Sequence, residues 1–167
     1  MRSTTEEISA WLNRKFDSRE NGILLDTYDL GSFEQIQDFL EAKDHPVKTP
    51  AIYYQAFADE NSGELIDSLE EELKSKLGYD QAKSCTTMEE LIATAELKTV
   101  VIDQSYLYSW ETIYGLWKWL KEYQVGLILV CSQTKIQDSQ ILNYPVISQW
   151  EQFIASADLS CALPSYI

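Results

Sequence analysis

Lys98-Thr99-Val100-Val101-Ile102-Asp103-Gln104 is an apolar run that ends in a carboxylate, Asp103, followed by an amide, Gln104. An aspartate at the carboxyl end of a buried strand can hold the water shell of the Mg²⁺ on a bound nucleotide. A glutamate in the next position can take a proton from the water that attacks the terminal phosphate. Gln104 cannot accept that proton. The stretch keeps the residue that would hold a metal ion and lacks the one that would complete a hydrolysis. The same letters also describe any buried parallel strand with a polar residue at its end, so the surrounding elements have to decide.

A nucleotide would also need its phosphates held. The pattern G-x-x-x-x-G-K-[ST] does this with glycines that let backbone amides wrap the phosphates, a lysine that neutralises them and a hydroxyl on Mg²⁺. The window at the matching place is Asp26-Thr27-Tyr28-Asp29-Leu30-Gly31-Ser32-Phe33. Only Gly31 fits: Asp26 stands for the first glycine, Ser32 for the lysine and Phe33 for the hydroxyl residue. Asp26 and Asp29 would add negative charge beside a triphosphate of about four charges, at a cost of several kcal/mol once partly desolvated. ATP binding is not expected there, and the window also reads as a plain strand-to-helix turn with Gly31 near the helix start.

These residues need a scaffold. Ser3, Thr4 or Thr5 can cap a first helix with Ile8, Trp11, Leu12 and Phe16 on one face, ended by Asn21-Gly22 before a short strand, Ile23-Leu24-Leu25. A second helix is expected from Ser32 to Ala42, with Phe33, Ile36, Phe39 and Leu40 as its stripe. Ala51 to Phe57 is rich in strand formers. Ser62 opens a long helix with Leu65, Ile66, Leu69, Leu73 and Leu77 inward and Gly78 at its end. Thr86 or Thr87 caps another, carrying Met88, Leu91, Ile92 and Ala95. The Asp103 strand follows, then a helix from Trp110 to Tyr123 and a strand from Val125 to Val130. A helix from Val146 to Ser156 and a last strand near Leu159 to Leu163 complete the series. Five strands alternating with helical crossovers predict an α/β fold: a three-layer, parallel five-stranded sheet with helices on both faces.

The 167 residues suit one domain with a sizeable core. Lys plus Arg number 13 against 27 Asp plus Glu, a net charge of −14 that opposes direct binding to a phosphate backbone. Cys85, Cys131 and Cys161 are odd in number and widely spaced, and His45 is the only histidine, so neither a disulfide framework nor a zinc site is expected. No apolar run reaches the roughly 18 residues needed to span a bilayer, and a soluble cytoplasmic protein is the expectation.

Order and spacing add a resemblance. Thr49-Pro50-Ala51-Ile52-Tyr53-Tyr54, the helix end Lys76-Leu77-Gly78, Met88-Glu89-Glu90-Leu91-Ile92, the run from Thr99 to Gln104 and Gly126-Leu127-Ile128-Leu129-Val130-Cys131-Ser132 occur in that order. Together they resemble AAA-type P-loop ATPases, and in particular the TniB-like ATPases that assist transposition, over residues 22 to 150. The resemblance implies a P-loop NTPase-like fold with Asp103 at the Walker B aspartate, Gln104 at the catalytic glutamate and Ser132 or Gln133 at the polar sensor. Asp26, Gly31, Ser32 and Phe33 fall on its phosphate loop. The missing lysine and glutamate imply no nucleotide cofactor and no hydrolysis. The chain reaches Ile167 just after the last expected strand, without the family's helical lid. The expectation is one truncated AAA-like pseudo-ATPase domain over residues 1–167.

A fold kept without its chemistry is usually kept for a surface. Tyr106, Tyr108, Trp110, Tyr114, Trp117, Trp119 and Tyr123 crowd into one loop and one helix. Ile113, Leu116, Trp117 and Leu120 form that helix's core stripe, with Trp110 and Tyr114 beyond it on one side and Trp119 on the other. The apolar arc spans about 220°, against the roughly 100° of an ordinary surface helix. The extra rings are either covered by neighbouring elements or meet another molecule. Aromatic anchors dominate interface energetics, which makes Tyr106, Tyr108, Trp110, Tyr114, Trp119 and Tyr123 candidate contact residues. Glu70-Glu71-Glu72 and Asp59-Glu60 read as solvated faces. The expected function is an inactive ATPase-like adaptor or regulator that works on a protein partner: an intact ATPase, a transposition complex or a second copy. No cofactor, metal, membrane or direct nucleic-acid contact is expected. Two alternatives stay open: an unusual nucleotide hydrolase using Asp103 with a metal, and an acidic nucleic-acid mimic.

Overall fold

β1 (Gly22–Asp26), β2 (Ala51–Gln55), β3 (Thr99–Asp103), β4 (Gly126–Ser132) and β5 (Glu151–Ala155) form one sheet in the order β2-β3-β4-β1-β5, with every pair parallel. The computed structural model describes residues 4–26 and 50–155. The helix expected from Ser32 to Ala42, the strand expected near Leu159 to Leu163, and Gly31, Ser32 and Phe33 lie outside the described residues. β3 and β4 are buried at every position, as their unbroken apolar runs require when both faces are covered.

Alternation along the strands feeds two cores. On one face α1 (Thr4–Ser18) packs Ile8, Trp11, Leu12 and Phe16 against Leu24, Val101, Ile128 and Val130. The other face carries α2 (Ser62–Leu77), α4 (Met88–Ala95) and α5 (Trp110–Glu122), whose Leu65, Leu69, Leu91, Ile113 and Leu116 cover Ile23, Ile52, Val100, Ile102, Leu127 and Leu129. The short helix α3 (Tyr79–Lys83) links α2 to α4. The sheet therefore has helices on both faces, the three-layer α/β arrangement that the sequence predicts.

Local chemistry sets the helix ends. Asn61 closes a capping box with Glu64, accepting from the Glu64 N–H at 2.8 Å while its own N–H donates to the Glu64 carboxylate at 3.2 Å. The cap thus falls one residue before Ser62. Gly78, at φ 86°, ends α2 in a conformation that a side chain would strain. Thr87 caps α4 and Ser109 caps α5. Glu151 at the start of β5 fastens α1 to the sheet: it accepts from Trp11 Nε1 at 3.1 Å and Arg14 Nη2 at 2.9 Å, and pairs with Lys15, whose side chain is 3% exposed.

The C-terminal third departs from the sequence expectation. Val146 to Ser156 is not one helix: α7 (Pro145–Ser148) stops after four residues, and Glu151–Ala155 is the fifth strand, in register with β1 from Gly22↔Glu151 to Asp26↔Ala155. Periodicity does not separate helix from strand in so short an apolar run. Pairing with the open side of β1 decides it. Helix α6 (Gln133–Ser139) has no counterpart in the sequence expectation, because Ile136 is its one buried residue.

Candidate functional site

All five strands end on one edge, and open parallel sheets bind ligands outside the carboxyl ends of their strands, where the strand order reverses. Here β2, β3 and β4 approach β1 from one side and β5 lies on the other. The strand ends meeting at that place are Asp26 of β1 and Ser132 of β4, which are in register, with Asp103 of β3 one strand farther out.

Asp103 is 4% exposed and both its carboxylate oxygens are engaged. Oδ2 accepts from the Tyr53 hydroxyl on β2, and Oδ1 accepts from the N–H of Gln104 at 2.8 Å. Burial, and then the bond to Asp103, push the Tyr53 phenol well above the ordinary tyrosine range, so Tyr53 is a fixed donor. Gln104 adopts the left-handed conformation at φ 53° and opens a single turn of 3₁₀ helix over Ser105–Leu107. Ser105 is buried and donates to the Val130 carbonyl at 3.4 Å. Ser132 is 6% exposed and its hydroxyl lies 3.0 Å from that of Thr134. Gln133 begins α6 and is half-buried. Beneath this edge, burial pushes the Cys131 thiol up to about 12, which leaves it unreactive at neutral pH.

The structure thus brings Asp103, Gln104, Ser132 and Gln133 together on two adjacent strand ends. Asp26 ends β1 on the same edge, about 9–10 Å from the end of β3 at two inter-strand spacings. Mg²⁺ keeps several waters around itself, which a strand-end carboxylate can hold by accepting their hydrogen bonds. At Asp103 one oxygen faces a phenol that donates to it and the other faces a main-chain donor. Asp103 thus already has two protein donors on its carboxylate. Among the described residues no group of three or more His, Cys, Asp or Glu side chains is placed to share a metal ion.

A second polar cluster lies on the other face of β2. Glu60 accepts from the hydroxyls of Tyr54 at 3.1 Å, Ser68 at 3.3 Å and Tyr108, and its carbonyl accepts from Thr112 Oγ1 at 3.3 Å. Glu60 is therefore not the solvated residue expected from Asp59-Glu60. The available signal is the pair Tyr53-Tyr54: successive strand residues point to opposite faces, and each buried hydroxyl needs its own acceptor. Tyr108 is 3% exposed, so as a contact candidate it is corrected: its ring is core and its hydroxyl belongs to Glu60. Burial raises the Tyr54 and Tyr108 phenols as well.

The remaining aromatic candidates pack mostly within the chain. Trp110 stacks on Tyr144 at 4.7 Å and 17°, Tyr114 meets the same ring edge-on at 5.6 Å, and Trp117 lies 6.3 Å from Trp150. Trp119 and Tyr123 sit edge to face at 5.4 Å, and Lys135 lies 5.0 Å over Tyr106. Segment 141–150 thus covers much of the excess apolar arc of α5. Trp110, at 41%, is the exposed ring of this set. No protein-family model matches the chain, and a search of curated proteins returns no match.

Proposed function

We propose that this chain is an ATPase-like domain that neither binds nor hydrolyses nucleotide and acts through protein contacts, as an adaptor or regulator. The carrying observation is the closure of Asp103 by Tyr53 and by the Gln104 N–H. The parallel sheet supports it, since the ends of β1 and β3 share one edge with β4 between them. So does the sequence, where Ser32 and Phe33 replace the phosphate-loop lysine and hydroxyl, and Gln104 replaces the base. The charge of −14 favours a protein partner over a nucleic acid. No helix among the described residues is long and apolar enough to cross a membrane. The test is calorimetric titration with Mg²⁺-ATP alongside a phosphate-release assay. The expected result is no binding heat and no phosphate. Micromolar ATP affinity that disappears in Asp103→Ala would overturn the proposal in favour of a nucleotide hydrolase.

A further inference from the structure

We propose that Phe57 anchors a docking surface for a basic segment of a partner protein. The inference rests on reading the domain as a contact module and says where the contact is made. Phe57 follows β2 on the carboxyl edge of the sheet and is 62% exposed, more than any other phenylalanine or tryptophan among the described residues.

An exposed aromatic on an unfastened loop would lose conformational freedom on binding. Phe57 is held in place beforehand. The N–H of Ala56 donates to the Asp103 carbonyl at 3.0 Å, the N–H of Phe57 to the Tyr108 hydroxyl oxygen at 3.4 Å, and the N–H of Glu60 to the Phe57 carbonyl at 3.4 Å. The Glu60 carboxylate, gripped by Tyr54, Ser68 and Tyr108, fastens the same loop to β2, α2 and the turn before α5. The Phe57 ring stands edge-on to Tyr54 at 6.0 Å and 73°. A preorganised apolar side chain of this kind has the character of an interface anchor, because little ordering cost remains at binding.

The surroundings specify the partner's charge. Beyond Tyr54, a shallow groove along α2 is lined by Asp67, Ser68, Glu71, Glu72 and Ser75, with no basic side chain in its lining. Lys74, which is not part of that lining, lies 3.9 Å from Glu71. Burial first, and then the Glu60 bond and the charges of Glu60 and Glu72, raise the Tyr54 phenol at the head of the groove. A segment in which arginine or lysine side chains alternate with apolar ones complements this surface. Phe57 would supply the affinity, and the carboxylates the steering and orientation.

The test uses the full chain and a fluorescein-labelled synthetic peptide of alternating leucine and arginine, with the leucine–glutamate peptide as control, read by fluorescence anisotropy. The basic peptide is expected to bind and the acidic one not. Phe57→Ala should weaken binding by about tenfold or more with an unchanged Tm, and Asp67→Asn with Glu72→Gln should weaken it about threefold and flatten its salt dependence. Absence of binding, or binding indifferent to Phe57→Ala, would overturn the proposal. A fall of several degrees in Tm for Phe57→Ala would also overturn it, by showing that the ring packs against its own chain. No nucleotide enters this assay, so its failure would leave the account of Asp103 standing.

Discussion

Tyr53 on β2 donates its hydroxyl proton to Oδ2 of Asp103 at the end of β3, so the strand-end carboxylate is spent on holding two strands together. Tyr53→Phe should leave a carboxylate that is 4% exposed short of one donor, a loss of about 1–3 kcal/mol by urea unfolding. Asp103→Asn should cost less, because the amide still accepts one bond and can donate to the phenol oxygen. Equal stability of Tyr53→Phe and the parent chain would show that the tie carries no weight.

Alkaline conditions should unfold the protein through its tyrosines. Tyr53, Tyr54 and Tyr108 all have phenols raised above the ordinary 10.0, by burial first. A proton held more tightly in the folded state gives stability that is complete below the unfolded pKa and is lost as pH rises beyond it. Denaturation midpoints should therefore hold to about pH 10 and fall above it. Ultraviolet absorbance should show part of the phenolate signal appearing only with unfolding. Ionisation of every tyrosine at the ordinary value in a folded chain would contradict this.

The acid limb belongs to the α1–β5 clamp. Glu151 is held below the ordinary 4.5, first by its bond with Lys15, with Trp11 and Arg14 contributing. A depressed carboxylate stabilises above its unfolded pKa and loses that contribution as pH falls through the folded one. Because the Glu151 side chain is 44% exposed, solvent screening reduces its own share to about 1 kcal/mol or less. Glu151→Gln should cost about 1–2 kcal/mol at neutral pH, since among the described residues it leaves the buried Lys15 one carboxylate partner, Glu20 at 3.4 Å, and should flatten the loss of stability below pH 4.5. An unaltered acid limb would assign it to other carboxylates.

Thr99 offers a gain. Its Oγ1 is buried without a hydrogen-bond partner among the described residues, and the residue is 0% exposed. Thr99→Val keeps the shape and removes the unsatisfied hydroxyl, and should stabilise by about 1 kcal/mol, read as a raised Tm. Destabilisation would reveal a partner for that oxygen.

Gly22→Ala tests the seating of α1. A Cβ at Gly22 would lie 2.6 Å from Cζ2 and Cη2 of Trp11, so the expected cost is about 1–3 kcal/mol from overpacking. Combining it with Trp11→Phe should cost less than the sum of the two single changes.

Elements with long, regular patterns were legible in the sequence. The leucines of α2 and the apolar face of α1 lie where their spacing puts them, and β3 and β4 read as buried strands because neither face meets water. β5 was not legible: among the described residues it is an edge strand, with Gln152 and Ile154 exposed, and its residues suit a helix equally until β1 lies beside them. Asp103 could be placed at a strand end from its run alone. Its closure could not, because that depends on β2 lying next to β3. The Glu60 cluster joins positions 54, 60, 68 and 108, a set with no local signature. The partners of the α5 rings could not be read: Tyr144 lies in a stretch given no element by the sequence, and Trp150 in one whose pattern suits a helix.

The position of β1 has a consequence for how the protein is made. Its two neighbours, β4 and β5, follow it by about a hundred residues or more, whereas β2, β3 and β4 are contiguous in the sheet and successive in the chain. On the ribosome, Ile23, Leu24 and Leu25 wait without either of these neighbours until β4 has been synthesised. Pairing β1 with β4 then joins strands about a hundred residues apart, a long-range step of the kind that slows folding. Meanwhile an apolar strand with two open edges is a template for aggregation.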